Sequence, residues 1–152
     1  MTDKNKWDFR FLEIAKLVST WSKDPSTKVG AVAVSNSGQI LSTGFNGLPR
    51  NMVDSDKRYQ NREFKYKYTV HAELNCIYNA MFNNTSIVNS TIYVWGLPVC
   101  MECAKGLVQT GVSRIVIPKD IMLNDKMKKK WEDDFYASQI LFLEVGLRMD
   151  LI

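Results

Sequence analysis

His71 is the only histidine of the chain, and Glu73 follows it by two positions. About thirty residues later the run Pro98-Val99-Cys100-Met101-Glu102-Cys103 supplies two of the three cysteines. Two sulfurs three residues apart at a helix start fall on one face, a spacing common in zinc sites. A closed structural zinc site takes four protein ligands, whereas His71, Cys100 and Cys103 make three, which leaves a fourth position for water. Zinc lowers the pKa of bound water from about 15.7 to about 7, so a nucleophilic hydroxide becomes available near neutrality. Glu73, two residues from a ligand, is then placed to take a proton from that water and deliver it to a ring nitrogen or a leaving amine.

The elements that carry these residues follow from the pattern around them. His71-Ala72-Glu73 opens a helix over about Ala72 to Phe82, and Cys100 to Thr110 forms another that Gly111 closes. Thr91 to Trp95 is β-branched and aromatic enough for a buried strand, and Ser113 to Ile117 gives a second, ended by Pro118. Strand, helix and strand in that order predict a parallel βαβ unit. Upstream, Trp7, Phe11, Ile14, Ala15, Val18 and Trp21 recur at helical spacing, so the first helix should bury an aromatic stripe before Asp24-Pro25-Ser26 breaks it. Val29 to Val34 and Gln39 to Phe45, joined by Asn36-Ser37-Gly38, read as a hairpin. About twenty polar residues up to Tyr68 read as a long loop bordering the pocket. A final helix over about Asp125 to Glu144, with Lys126, Lys128, Lys129 and Lys130 on a solvated face, leads through Gly146 to a last strand at Leu147 to Leu151. The order α-β-β-α-β-α-β-α-β predicts an α/β fold with a mixed five-stranded sheet and helices on both faces.

Composition bounds the rest. The chain has 152 residues, 45% hydrophobic and 24% charged, which suits one globular domain spanning 1–152. There is no apolar run of the roughly 20 residues that a membrane span needs, and Met1 to Lys6 lacks the apolar core of a signal peptide, so a cytoplasmic location is expected. Three cysteines, two of them with ligand spacing, argue against a disulfide framework and for a reducing compartment. A net charge of +4 suits anionic small molecules and falls far short of a dedicated nucleic-acid binder. Cys76, five residues past His71 and so turned away from it on a helix, reads as a small core residue.

His-x-Glu followed by Pro-Cys-x-x-Cys is the signature of zinc-dependent nucleobase deaminases, and this chain resembles them. Within the cytidine deaminase superfamily it looks most like the deoxycytidylate (dCMP) deaminases. The likeness lies in Asp24-Pro25-Ser26-Thr27-Lys28-Val29-Gly30-Ala31, Gly44-Phe45-Asn46-Gly47-Leu48-Pro49-Arg50, His71-Ala72-Glu73-Leu74-Asn75 and Cys103-Ala104-Lys105-Gly106-Leu107-Val108-Gln109-Thr110-Gly111. The resemblance implies a three-layer α/β/α, cytidine deaminase-like fold. It also implies Zn2+ on His71, Cys100 and Cys103, proton transfer by Glu73, a sugar contact from Asn46 and a peptide N–H of Ala72 for the base carbonyl. Lys28 and Arg50, beside the matching loops, are expected to meet the phosphate. The implied reaction is hydrolytic deamination of dCMP to dUMP and ammonia, in a homo-oligomer (dimer or hexamer) under dCTP and dTTP control.

Two departures from the family pattern stand out. Val99 separates Pro98 from Cys100 where the usual motif has proline directly before the first cysteine. The chain also has a single histidine, so the second, structural zinc of many dCMP deaminases is expected to be absent. The competing readings are a deaminase of another base, such as cytidine, guanine or a tRNA adenosine, and a zinc-stabilised binding module without catalysis. A structural site would have no use for Glu73 and would need a fourth ligand.

Overall fold

Five strands form one mixed sheet in the order β2-β1-β3-β4-β5. The computed structural model describes residues 3–123 and 125–152, with side chains over 6–121 and 132–152. Helix α1 (Asp3–Ser19) precedes the hairpin of β1 (Gly30–Val34) and β2 (Ile40–Phe45), paired antiparallel around the expected turn. Strand β3 (Thr91–Trp95) lies antiparallel on the other side of β1, and β4 (Arg114–Ile117) and β5 (Arg148–Leu151) continue parallel to it. The βαβ crossover through α5 (Met101–Gln109) is therefore as the pattern predicts, and so is α4 (Ala72–Phe82).

Burial sorts the strand residues into two layers, as alternation on a pleated sheet requires. Ala31, Ala33, Ile92, Val94, Ile115 and Ile117 face α4, α5 and α7 (Asp125–Val145) in the larger core, with Ile77, Leu107 and Phe142. Val32, Val34, Tyr93 and Val116 face α1 through Phe11, Leu12, Ala15 and Val18. The mixed sheet with helices on both faces is the fold expected.

The first helix corrects its aromatic stripe. Phe11, Ala15 and Val18 are buried, but Trp7 and Trp21 are each 53% exposed. Trp7 stacks on Phe11 at 5.7 Å and carries the Arg10 guanidinium on its ring. Trp21 lies past the helix end, edge-on to Phe45. The polar stretch after β2 is also more ordered than a loop: it holds α2 (Asp56–Gln60) and α3 (Arg62–Tyr68). Asn61 caps α3, its side chain accepting from the Phe64 N–H at 3.0 Å. A further short helix, α6 (Lys119–Leu123), follows β4. The expected lysine face at Lys126, Lys128, Lys129 and Lys130 lies outside the described side chains.

Contacts on α4 fix the site's position. Asn75 and Asn79, one turn apart on α4, donate to the carbonyls of Phe45 and Thr43 on edge strand β2, at 2.8 and 2.7 Å. Ser42 Oγ donates to the Cys76 carbonyl at 2.8 Å. The approach is so close that a Cβ on Gly44 would stand 2.3 Å from the Ala72 carbonyl oxygen. At Gly106, between α5 and α4, a Cβ would lie 2.9 Å from a terminal methyl of Leu74, a side-chain end that can shift. Helix α4 is thereby held against β2, with its N-terminus beside that of α5.

Candidate active site

His71 is the N-cap residue of α4 and Cys100 that of α5, so both stand at helix starts in extended backbone. Cys103 lies one turn into α5 and is fully buried. The ligand atoms of His71, Cys100 and Cys103 all lie within 4.8 Å of one another. His71 Nδ1 is 3.2 Å from Cys100 Sγ and 3.4 Å from Cys103 Sγ. A tetrahedron built on Zn–S of about 2.3 Å and Zn–N of about 2.0 Å has S···N edges of about 3.5 Å, so the donor set fits a zinc ion after small adjustment.

The electrostatics of the cluster fit a cation as well. Hydrogen bonding from Cys103, helped by His71 and the Cys103 N–H, pulls the Cys100 thiol down to about 4. The Cys103 thiol is pushed far up, first by that shared bond with Cys100, then by burial and the Glu73 carboxylate. Its hydrogen bond to Cys100, against the opposing effect of burial, raises the His71 imidazole above its ordinary value. One sulfur holds a proton because two thiolates and a carboxylate are too much negative charge for so small a volume, and a divalent ion would relieve that. The two helix N-termini add positive potential.

Glu73 is 3% exposed, and its Oε2 lies 3.5 Å from Cys103 Sγ. Burial, reinforced by the Cys100 thiolate, pushes its carboxyl up to about 7. A carboxyl poised there can accept and release a proton at neutral pH.

The pocket over these groups is lined by Asp24, Thr27, Val29 and Asn46 from the β1 approach and the loop after β2, by Lys65, Tyr66 and Thr69 from α3 and its end, and by Leu97, Pro98 and Cys100. His71, Ala72 and Glu73 form its floor. Ala72 is the first residue of α4, so its N–H has no helical acceptor and is available to a ligand. Asn46 lines the pocket but much of its amide is committed: Oδ1 accepts from the Val29 N–H at 2.8 Å and Nδ2 donates to the Thr27 carbonyl at 2.9 Å. Lys28 and Arg50, expected beside the phosphate, do not line it. The Lys28 ammonium donates to the Ser22 carbonyl, and the Arg50 guanidinium bonds Asn79 and lies 4.7 Å over the Phe82 ring.

Val99 is fully buried behind the cysteine turn. Its carbonyl accepts from Ser138 Oγ at 3.0 Å, and the Met101 N–H donates to Asp134 Oδ2 at 2.9 Å. Helix α7 thus grips the turn on both sides of Cys100. Cys76 points into the core beneath α4, its thiol pushed up to about 12 by burial.

Sheet order, helix layers and a histidine and two cysteines at converging helix starts define the cytidine deaminase-like fold. Residues 5–119 match the model of the cytidine and deoxycytidylate deaminase zinc-binding region, and the chain belongs to that family. It is 37% identical over 145 residues to an uncharacterized deaminase encoded in the luxG 3′ region of Aliivibrio fischeri, covering 95% of this chain and 92% of the relative. It is 33% identical over 150 residues to human deoxycytidylate deaminase, covering 95% and 79%. The crystal structure of the dCMP deaminase of cyanophage S-TIM5 superposes over 100% of both chains with a TM-score of 0.72 at 22% identity, which speaks for the fold.

Proposed function

We propose that the chain hydrolyses dCMP to dUMP and ammonia. The observation that carries this reading is a buried glutamate on the floor of one pocket, beside a histidine and two cysteines placed to hold one metal ion. The deoxycytidylate deaminases among its relatives, human and others, support the choice of substrate. The balance is that of a hydrolysis: a C4–O bond forms from water, the C4–N bond of the exocyclic amine breaks, and nitrogen leaves as ammonia.

His71, Cys100 and Cys103 would hold zinc, which when bound supplies the Lewis acidity that ionises water near pH 7. Glu73 takes the proton given up by water, passes it to the ring nitrogen, and later returns a proton to the departing amine. Its burial does two things: it raises the carboxyl to the working range and keeps bulk water from short-circuiting the transfer. The Ala72 N–H, at the positive end of α4, is placed to hold the base carbonyl, and Asn46, pinned by Val29 and Thr27, presents its remaining N–H toward the sugar. Leu97 and Pro98 supply apolar wall for the base.

We further place the protein in a reducing compartment, the cytoplasm, as a single catalytic unit. Its three cysteines are unpaired, and no helix among the described residues is long and apolar enough to cross a membrane. Assembly into a homo-oligomer is favoured by the outer face of α7, where Tyr136, Ile140 and Leu143 are 64%, 46% and 82% exposed at helical spacing. Control by dCTP and dTTP rests on the family resemblance.

The test is ammonia release across cytosine, deoxycytidine, CMP, dCMP, dCTP, guanine and adenosine-containing substrates. Turnover with highest kcat/KM on dCMP is expected. Highest kcat/KM on another base would move the reading to another deaminase, and no turnover with zinc bound would favour the binding module.

A further inference from the structure

Helix α3 and the residue that ends it bring two groups with unspent hydrogen-bonding capacity to the pocket. Lys65 is the one lysine or arginine among the residues that line it. Its side chain is only 13% exposed, and its ammonium donates to Asp24 Oδ1 at 3.1 Å and to Ser26 Oγ. A lysine has three N–H donors, so the third is uncommitted among the described residues. Thr69, the C-cap residue one turn on, donates its N–H to the Lys65 carbonyl at 3.0 Å. Its hydroxyl Oγ1 is buried and has no hydrogen-bond partner. A buried hydroxyl left unpaired is costly, and because Thr69 lines the pocket a turn about its χ1 would bring Oγ1 to a partner bound there.

The surroundings hold this pair in place. Asp24 is 3% exposed and also accepts from the Ser26 N–H at 2.9 Å, Ser26 Oγ at 2.9 Å and the Thr27 N–H at 3.1 Å. Burial pushes its carboxyl up, but these donors and Lys65 outweigh burial and hold it below the ordinary carboxylate range. Its charge is therefore largely satisfied by backbone donors, and it serves to fix the ammonium, which reaches the pocket already ordered. Lys28 and Arg50 are engaged elsewhere, with Ser22 and with Asn79 and Phe82.

We propose that Lys65 and Thr69 form the anion-binding end of this pocket and set its preference for a 5′-monophosphate, the ammonium and the hydroxyl each donating to a phosphate oxygen. The assignment rests on the dCMP reading for the base and the sugar. It makes a specific claim about analogues: a nucleoside without phosphate leaves the Thr69 hydroxyl unpaired, so discrimination comes from an unmet group as well as from a lost contact.

The experiment measures kcat/KM for dCMP and deoxycytidine, and Kd for dUMP and deoxyuridine by calorimetry, on zinc-loaded native protein and on Lys65→Met, Lys65→Arg, Thr69→Val and Arg50→Ala. A charge-assisted hydrogen bond corresponds to about 10 to 150-fold and a neutral one to roughly 2 to 13-fold. Lys65→Met should therefore lower kcat/KM for dCMP by about 10 to 150-fold more than for deoxycytidine, and Lys65→Arg should recover part of that difference. Thr69→Val, which is nearly isosteric and leaves Asp24 paired, should lower dCMP alone by roughly 2 to 13-fold. Kd for dUMP should weaken in step, with deoxyuridine unmoved. A parallel fall on both substrates in both variants would make α3 a scaffold and overturn the proposal. So would a dCMP preference that survives both variants, or one that Arg50→Ala abolishes instead; in those cases the dCMP reading stands. Equal activity of the native protein on dCMP and deoxycytidine overturns both.

Discussion

Glu73 stands on the pocket floor with a role separable from that of its neighbours. It is not one of the three clustered ligands, and its carboxyl is held up to about 7 by burial. Glu73→Ala should retain one zinc per chain by metal analysis while turnover falls by the roughly 10² to 10⁴-fold typical of lost acid–base catalysis. His71→Ala and Cys100→Ala should lose metal and turnover together. Near-normal turnover in Glu73→Ala would remove it from the mechanism. These four residues were legible in the sequence because their types are scarce and their spacing is local: one histidine, a glutamate two residues on and a Cys-x-x-Cys pair. Lys65 and Thr69 were not legible. A lysine in a polar stretch carries no mark of its partner, and here that partner, Asp24, is 41 residues away and becomes a neighbour only through the fold. Arg50 shows the converse. It lies in a matching motif, yet its guanidinium settles on Asn79 and Phe82 of α4.

Strands, the four long helices and their caps were readable because apolar periodicity and breakers coincide with them; Gly111 and Gly146, both at φ of 72°, sit where helices were expected to stop. Helices α2 and α3 lack that signal. No residue of α3 is buried, so its sequence shows no apolar face, and it is held by the Asn61 cap and by Lys65 reaching Asp24. Element packing also sets the precision of the metal cluster. The β2–α4 contact leaves no space at Gly44, where a Cβ would meet the Ala72 carbonyl and the Cys76 N–H, each at 2.3 Å. Backbone must move to admit a methyl group there, so Gly44→Ala should destabilise by about 1 to 3 kcal/mol, a drop in Tm of roughly 2 to 12 °C. Because the displaced backbone carries His71 and Ala72, zinc affinity should fall too, measured by competition with a chromogenic chelator. Unchanged affinity would show that α4 moves as a unit without disturbing its first turn.

The two faces of the sheet are secured by different means, and this governs how the whole molecule responds to pH. The α4, α5 and α7 face has the larger apolar core and the cluster of His71, Cys100 and Cys103. The α1 face has a smaller core, and a charged latch closes it: Arg114 on β4 makes paired bonds to Asp8 of α1 at 2.7 and 2.8 Å and reaches Asp150 of β5 at 2.6 Å. Tyr93 donates to Asp8 as well, at 2.7 Å. Four segments distant in sequence thus meet at a site where Asp8 is 2% exposed. Removing one partner strands the others without water, so Arg114→Met should cost about 3 to 5 kcal/mol at pH 7, or on the order of 10 °C in Tm. The site lies across the sheet, so zinc content and KM at low temperature should be unchanged. The sign of the pH dependence follows from Asp150. Burial pushes its carboxyl up, but hydrogen bonds from Arg148 and Arg114 prevail and hold it below 3.8. A depressed carboxyl stabilises the fold fully above 3.8, its unfolded value, and that contribution is lost as pH falls through the folded value. The deficit of Arg114→Met relative to native protein should therefore be full at pH 7 and shrink once pH drops below 3.8, as Asp150 becomes protonated in both proteins. Urea unfolding of zinc-free native and variant protein at neutral and at acid pH measures it without interference from metal release. A deficit constant across that range would mean that Arg114 stabilises through packing of its stem and not through its charge.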